Sequence, residues 1–337
     1  WYSTAAKGWE GEFAEHTSFG DALERDLTAE RASADTYGDA WKAGGGSIYS
    51  SPSIDPDLGL IYFGTGNASP GYADYKRPGD NLYTSSLIAL DVGTGKLRWY
   101  HQIVPHDIWG YDVANPPVLF DFPSNGTTVC AVAEASKSGW LYLFDRATGK
   151  ALRRSEAFVP QNDLMFHRPT HEGVLIAPGA AGGANWPPTS YNPHTGWLYV
   201  SATHNPTRYH LKPGEAGKPA GVVLSFEKDV ERWGTLSAID PGDGKIKWQV
   251  KTDLPLLSGS VATAGGLLFH GESNGHFVAR NARDGAKLWQ FNPGAGVNAP
   301  PVTYAVDGKQ FVVVAAGGHK LFNFPLGDAV IAFGLPE

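Results

Sequence analysis

Short apolar segments separated by glycine-rich turns repeat along most of the chain, and each segment predicts a strand. A recurring unit joins two strands through an Asp or Asn, a turn that ends in Gly, and a second strand that carries a Trp. Asp or Asn starts such a turn by bonding its own backbone, and Gly supplies a positive φ. In the second copy Arg153 replaces the Trp, so we expect the contact that docks this copy on the next to be absent.

Another strand pair precedes each hairpin, and four strands per repeat indicate a propeller blade. We therefore predict an all-β fold, a β-propeller with about five blades in this chain. The last unit lacks the closing hairpin, so we expect the ring to be completed by further blades before Trp1 or by another chain. The five units cover residues 47–104, 116–160, 186–252, 258–293 and 299–335.

Residues 1–46 do not show this pattern and are predicted to form an irregular, partly helical lead-in segment. Strong helix formers between residues 21 and 32, with Leu23 and Leu27 four apart, predict a short surface helix. We interpret its charged side chains as a solvated face. A run of three glycines at residues 44–46 marks the boundary with the first blade.

Composition agrees with many short strands, because the 337 residues include 42 Gly and 24 Pro and only 18% are charged. The net charge is −7 and the chain has no basic run, which gives no basis for nucleic-acid binding. The apolar runs are shorter than the roughly 20 residues of a membrane-spanning helix. The single cysteine, Cys130, lies in an apolar run, and we expect it to be a small buried side chain.

The stretch from Gly64 to Asp112 has the features of a binding site. An apolar strand ends in Gly64-Thr65-Gly66-Asn67, where glycines free the backbone to present one amide side chain. His106 and Asp107 follow in a Pro-His-Asp turn, where we expect them to bond the backbone of their own loop.

Five motifs occur in the order found in the pyrroloquinoline quinone (PQQ) dependent dehydrogenases, and the chain resembles that family from about Asp39 onward. The resemblance implies roughly the last five blades of an eight-bladed propeller that oxidises alcohols or sugars in the periplasm. The family's first three blades, with a glutamate that binds the metal, have no counterpart here. The motifs are Gly64-Thr65-Gly66-Asn67, residues 77–86, Pro105-His106-Asp107-x-Trp109, residues 183–188 and residues 327–336.

The resemblance implies PQQ and a calcium ion, or a lanthanide in some members. Asn67 matches an oxygen ligand of the cation, which polarises the quinone carbonyl that accepts hydride. Lys137 matches a lysine that contacts the quinone oxygens, and Asn185 and Trp186 match a pair that contacts the cofactor. The alternatives are that Asn67 only forms a turn, that Lys137 is solvated, and that Trp186 packs between blades.

Two positions, Gly110 and Tyr49, depart from the family pattern. Gly110 stands where members carry a catalytic aspartate that takes the substrate proton, and glycine cannot do so. Asp112 matches an additional metal-binding aspartate of lanthanide-using members; it could be a displaced base, a metal ligand or a turn residue. If residues 109–112 form a strand, Asp112 faces the same side as position 110. Tyr49 falls where members have a tryptophan that stacks on the quinone, and tyrosine can stack with less area.

The sequence therefore predicts a PQQ-dependent dehydrogenase that transfers hydride from an alcohol or sugar to the quinone and passes electrons to an acceptor such as cytochrome c or a membrane quinone. The alternative is a catalytically impaired or non-enzymatic propeller that serves as a binding or scaffold subunit of a larger periplasmic assembly. The repeat also occurs in propellers that resemble the lipoprotein scaffold of outer-membrane protein assembly. The site motifs favour the dehydrogenase.

Overall fold

Strands dominate the structure, a computed structural model that describes residues 1–72, 74–124, 126–214 and 221–335. Within these residues the helical elements are the α-helix α1 (Leu27–Ser33) and two short 3₁₀ turns, Ala40–Ala43 and Asp74–Lys76. No helix of the described ranges has the length and apolar character needed to span a bilayer. The strands are β1 (Ser53–Asp55), β2 (Leu60–Gly64), β3 (Ser86–Asp91), β4 (Leu97–Gln102), β5 (Val118–Ser124), β6 (Thr127–Ala135), β7 (Leu141–Asp145), β8 (Ala151–Arg154), β9 (Val174–Ile176), β10 (Ser190–Asn192), β11 (Trp197–His204), β12 (Thr207–Lys212), β13 (Gly221–Ser225), β14 (Trp233–Ile239), β15 (Ile246–Thr252), β16 (Ser260–Ala262), β17 (Leu267–Gly271), β18 (Phe277–Asn281), β19 (Lys287–Phe291), β20 (Val302–Val306), β21 (Lys309–Ala316) and β22 (Ala329–Gly334).

Five antiparallel sheets lie inside the five units predicted from the repeat. Four of them have four strands, in the orders β1-β2-β3-β4, β5-β6-β7-β8, β10-β11-β14-β15 and β16-β17-β18-β19, and the last has three, β20-β21-β22. A sixth sheet, β13-β12-β9, was not predicted. Its strands β12 and β13 lie within the third unit in sequence but do not join the sheet of that unit. Instead β12 pairs with β13 and with β9, which lies before the third unit. The all-β prediction is confirmed.

Two tryptophans of the repeat, Trp99 and Trp248, each dock their sheet on the next. The indole of Trp99 donates to the carbonyl oxygen of Arg146 (3.2 Å), and its ring lies against Gly149 in the following turn. Trp248 makes the same contact between the sheet that contains β15 and the sheet that contains β18, donating to the carbonyl oxygen of Ala282 (3.0 Å). A glycine is needed at Gly149, because a Cβ there would lie 2.6 Å from the indole.

The expectation that Arg153 leaves its docking site empty is wrong. Its guanidinium donates to the carbonyl oxygen of Asp243 (3.3 Å), and its Cδ lies 3.0 Å from the position of a Cβ on Gly244. The long apolar stem of an arginine can cover surface as an aromatic ring does. Arg153 therefore provides the docking contact of the second sheet.

The hydrophobic core lies between adjacent sheets. Along β6, Val132 packs toward the first sheet with Tyr142 of β7, whereas Ala131, Ala133 and Ala135 pack toward the third. This alternation is the period of two expected of a strand buried on both faces. The first residues of β6, including Cys130, extend beyond the packed region and are largely exposed. The prediction of a buried Cys130 is therefore wrong.

The lead-in segment is fixed to the first sheet by buried charges. Arg25 pairs with Asp80 and with Glu30 of α1, each at 2.6 Å, and all three side chains are largely buried. The carboxylate of Asp80 also accepts from the backbone of Glu12 and Ala14. The prediction of a solvated charged face is therefore wrong for Arg25 and Glu30, because their partner Asp80 is remote in sequence.

Candidate active site

Loops from neighbouring sheets meet at one end of the fold. The loop after β2 bonds the loop after β4 through the backbone of Val113 and Thr65 (3.1 Å). The loop after β6 bonds the segment before β10 through Ala184 N and Ser136 O (3.0 Å). These bonds bring together segments that carry the residues predicted from the sequence.

The glycines of the Gly64-Thr65-Gly66-Asn67 motif make room for the loop after β4. A Cβ on Gly64 would lie 2.1 Å from the carbonyl oxygen of Val113, and a Cβ on Gly66 would lie 3.0 Å from Oδ1 of Asp112. Glycine permits this close approach because it has no side chain. The motif therefore seats Asp112 beside Asn67.

Asp112 is the centre of the cluster. Its Oδ1 accepts from the backbone N–H of Asn67 (2.6 Å), and its Oδ2 lies 2.7 Å from Nζ of Lys137. The side chains of Lys137 and Asp112 are only 7% and 15% exposed. Charge-assisted bonds of this length in a partly dry site hold three loops in a fixed arrangement. The structure thus brings together Asn67, Asp112 and Lys137.

Tyr49 borders this cluster with a ring that is about half exposed. The partial burial of its hydroxyl, together with the carboxylates of Asp112 and Asp107, raises the pKa of Tyr49 above its usual value. The phenol therefore stays protonated and can donate a hydrogen bond to Asp112. The exposed ring remains available for stacking.

Gly110 has a left-handed backbone conformation, with φ of +82°. A Cβ there would lie 3.0 Å from the hydroxyl oxygen of Tyr72, so Tyr72 fills the space beside the missing side chain. Residues 109–112 do not form the strand that the alternation argument required. Instead, the carboxylate of Asp107 accepts from the backbone N–H groups of Trp109 and Gly110, both at 2.9 Å, and folds the chain into a turn.

The predicted role in bonding the backbone of its own loop is confirmed for Asp107, whereas His106 bonds the backbone of a different loop. His106 donates from Nδ1 to the carbonyl oxygen of Gly79 (2.7 Å), and Oδ2 of Asp107 accepts from Ser85 Oγ (3.0 Å) in addition to the bonds just described. Burial, together with the carboxylate of Asp112, raises the pKa of Asp107. These bonds hold the loop after β4 in place. Asp112 is the carboxylate of this loop that faces Lys137.

Asn185 and Trp186 lie beside the loop of Lys137 but make contacts of their own. The carbonyl oxygen of Asn185 accepts from Nδ2 of Asn115 (2.8 Å). Trp186 is 39% exposed and stacks on His319, with ring centroids 6.3 Å apart and planes at 20°. Trp186 therefore does not pack between blades, as one alternative held.

Glu134 was not identified from the sequence. It is fully buried near the end of β6, and both of its carboxyl oxygens lack a hydrogen-bond partner among the described residues. Burial raises the pKa of Glu134 well above its usual value. The available signal was a single acidic residue in an otherwise apolar strand, three positions before Lys137.

The chain matches the family model of the PQQ glucose/ethanol/alcohol dehydrogenase β-propeller domain over residues 21–165, 153–228 and 229–312. The quinoprotein alcohol dehydrogenase PedH of Pseudomonas putida is 35% identical over 94% of this chain and 59% of its own length. The quinohemoprotein alcohol dehydrogenase of Comamonas testosteroni is 35% identical over 86% of this chain and 45% of its own length. The chain thus spans about half the length of these relatives.

Solved structures agree with the sequence relatives. The crystal structure of the Comamonas testosteroni enzyme has a TM-score of 0.79 at 32% identity and covers 88% of this chain and 49% of its own. A europium-containing methanol dehydrogenase has a TM-score of 0.73 at 31% identity and covers 83% of this chain and 52% of its own. The predicted propeller is confirmed, and the chain belongs to the PQQ-dependent family of glucose, ethanol and alcohol dehydrogenases.

Proposed function

We propose that this chain forms the quinone-binding and proton-accepting side of a PQQ-dependent alcohol dehydrogenase. The observation that carries the proposal is the cluster in which Asp112 joins Asn67 and Lys137 at the meeting point of three loops. The named alcohol dehydrogenases among the relatives support an alcohol rather than a sugar as the substrate.

The oxygen donors of the cluster suit a hard cation such as calcium or a lanthanide. The side-chain oxygen of Asn67 accepts no hydrogen bond from the described residues. The carboxylate of Asp112 has four lone-pair positions, of which the bonds from Asn67 and Lys137 occupy two and a bond from Tyr49 can occupy a third. Such a cation takes about 6–8 oxygen ligands. The described residues contain no group of three or more acidic, His or Cys side chains suited to a metal, so further ligands must come from the cofactor, water or other parts of the protein.

The surroundings also suit a flat anionic quinone. Lys137 offers a fixed positive charge, Tyr49 offers an exposed ring on which a quinone can stack, and Asn185 offers amide hydrogens. Bound PQQ with its cation supplies the chemistry of a hydride acceptor. The contribution of the chain is to orient the substrate and to take its hydroxyl proton.

Asp112 is the side chain best placed to accept that proton in the absence of an aspartate at position 110. Its carboxylate faces Lys137, whereas both oxygens of Asp107 are engaged by the loop backbone and by Ser85. We therefore assign Asp112 as the displaced base of the site.

The experiment loads the whole protein with PQQ and calcium or a lanthanide and follows dye reduction with ethanol, with glucose as a comparison. We expect turnover with the alcohol and a loss of roughly 10²–10⁴-fold in Asp112→Asn, the usual contribution of a positioned acid or base. Asp57→Asn, an exposed turn variant, serves as the control and should keep full activity. Absence of bound quinone and of turnover would rule out the proposal.

A binding or scaffold propeller without catalysis is the second candidate, and Gly110 is the observation that favours it. A side chain at position 110 would need a left-handed backbone and would meet Tyr72. The site therefore differs from the family pattern by more than the loss of one aspartate side chain. Quinone that binds tightly without turnover of any alcohol would support this candidate.

For the dehydrogenase, the electron acceptors that we propose are cytochrome c, which is named for one relative, and a membrane quinone. We propose the periplasm as its compartment.

A further inference from the structure

Tyr72 lies against Gly110, at the point where the candidate active site carries no side chain. A Cβ on Gly110 would lie 3.0 Å from the hydroxyl oxygen of Tyr72 and 3.4 Å from Cβ of Ala180, and the next atom is Cα of Ala180. The hydroxyl is therefore the polar group among the three atoms nearest to that position. The polar contact available at this point of the loop is that of Tyr72.

The hydroxyl of Tyr72 is available to a ligand. It forms no hydrogen bond with the residues that the structure describes, and it is not among their fully buried unpaired atoms. The residue as a whole is partly exposed. Burial, together with the carboxylates of Asp107 and Asp112, raises the pKa of Tyr72 above its usual value. The phenol therefore stays protonated at neutral pH and has a hydrogen to donate.

Arg77 fixes the backbone on both sides of this contact. Its guanidinium donates to the carbonyl oxygens of Gly71 (2.5 Å) and Asp107 (2.7 Å), and its side chain is fully buried. Hydrogen bonds from a charged donor are among the stronger ones in proteins. One buried cation thus joins the segment that leads into Tyr72 to the loop that contains Gly110.

The ring of Tyr72 has a support of its own. It meets the ring of Tyr209 edge to face, with centroids 6.3 Å apart and planes at 70°. Tyr209 is fully buried, and its hydroxyl donates to the carbonyl oxygen of Trp109 (2.7 Å), the residue before Gly110. The ring and the backbone of Tyr72 are therefore both held relative to the same loop.

The segment of Tyr72 also contacts the residue proposed for the cation. A Cβ on Gly71 would lie 3.4 Å from Nδ2 of Asn67. The same short segment therefore touches Asn67 at Gly71 and touches the loop of Asp112 at Tyr72. This places the hydroxyl of Tyr72 in the site where the alcohol is proposed to react.

We propose that the hydroxyl of Tyr72 binds the oxygen atom of the alcohol substrate by donating a hydrogen bond to it. The inference rests on the proposed function and adds a substrate contact to it. During oxidation the C–H bond of the alcohol gives a hydride to the quinone acceptor, its O–H bond gives a proton to Asp112, and a C=O bond forms. Tyr72 keeps its own proton. Its hydrogen bond stabilises the negative charge that develops on the substrate oxygen as the proton leaves.

The first test removes the hydroxyl and keeps the ring, with Tyr72→Phe in the whole protein loaded with PQQ and calcium. Loss of one fixed donor to a developing oxyanion lowers kcat by about 10²–10³-fold in the enzymes where it was measured. We expect a loss of at least roughly tenfold in kcat with ethanol. The affinity for PQQ, measured by absorbance titration, and the urea unfolding midpoint should both stay at the wild-type values, because the hydroxyl bonds none of the described residues.

Tyr191→Phe is the matched control, because it also removes one tyrosine hydroxyl. That hydroxyl donates to the carbonyl oxygen of Asp121 (3.1 Å), between the second and third sheets. The variant should keep the wild-type kcat. A wild-type kcat in Tyr72→Phe would overturn the substrate contact and leave the dehydrogenase standing. A weaker affinity for PQQ or a lower unfolding midpoint in Tyr72→Phe would also overturn it, because the hydroxyl would then serve the cofactor or the fold.

The second test does not depend on activity. Gly110→Ala adds the Cβ that meets the hydroxyl oxygen at 3.0 Å, and Tyr72→Phe removes that oxygen. The strain of a side chain at φ of +82° is the same in both backgrounds. In urea unfolding of the protein without cofactor, Gly110→Ala should therefore lower the midpoint by more beside Tyr72 than in the Tyr72→Phe background.

Equal losses in the two backgrounds would show that the hydroxyl does not lie at Gly110 and would overturn the inference. Absence of turnover in the loaded wild type has a different meaning. It would remove the proposed function, and the substrate contact with it, even where the unfolding result places the hydroxyl at Gly110.

Discussion

Removal of the positive charge from the Asp112–Lys137 pair should destabilise the fold strongly. The two side chains are 7% and 15% exposed and their charged atoms are 2.7 Å apart. Loss of one partner of a buried pair leaves an unpaired buried charge and costs about 3–5 kcal/mol. We therefore expect Lys137→Met to lower the free energy of unfolding by about 3 kcal/mol, the low end of that range, because Asp112 keeps its bond from Asn67.

Asp112→Asn should lower the free energy of unfolding by less than Lys137→Met, because the amide oxygen can still accept from the backbone of Asn67. What is lost is the counter-charge of Lys137. The double variant removes both charges, so its cost should fall short of the sum of the single costs. Contacting residues show coupling energies of about 0.5–3 kcal/mol, and we expect at least about 1 kcal/mol for this pair.

The assay is urea unfolding of the four proteins of the cycle, free of cofactor and metal, monitored by tryptophan fluorescence. The Asp39–Lys42 pair is a matched control, because it has the same 2.7 Å separation but 77% and 58% exposure. Coupling in the control cycle should be about 0.3–0.5 kcal/mol or less. Equal coupling in the two cycles would refute the view that Asp112 and Lys137 form a closed, preorganised site.

Two further predictions concern the scaffold. Gly149→Ala should destabilise the fold by roughly 1–3 kcal/mol more than Gly95→Ala in urea unfolding, because both have positive φ but only Gly149 packs against the ring of Trp99; equal losses would show that the docking contact is weak. Burial and the nearby Arg280 lower the pKa of His270 to about 3 from an ordinary 6.5, so the folded state resists a proton that the unfolded chain accepts. Stability should be retained above pH 6.5 and fall toward pH 3, and His270→Gln should flatten this decline; an unchanged acid slope would show that other groups cause it.

Local turn chemistry explains why the repeat could be identified from the sequence. Asp91 accepts from the backbone and hydroxyl of Thr94 in its turn, and Asp145 does the same with Thr148. These bonds join residues three apart, so their pattern is visible in a single sequence. By contrast, Thr207 pairs with Ile176, and that distant pairing gave no local signal for the sixth sheet.

The site shows the same division between local and distant causes. Asn67 was found because its motif occurs with four others in the family's order, and Lys137 because it matches a family lysine. The structure places both against Asp112. The turn at Gly110 depends on the carboxylate of Asp107, so strand alternation failed there. The burial of Glu134 depends on neighbouring sheets, and its strand sequence indicated only that a charged residue was out of place.

The central claim is that the cluster around Asn67 binds PQQ together with a hard cation. The most direct test is an absorbance titration of the whole protein with PQQ at increasing calcium or lanthanide, for the wild type and Asn67→Ala. We predict metal-dependent binding that weakens at least about tenfold in Asn67→Ala, since even outer-shell partners of a metal contribute this much, with an unchanged unfolding midpoint. Binding that is absent from the wild type, or that is independent of both the metal and Asn67, would contradict the claim.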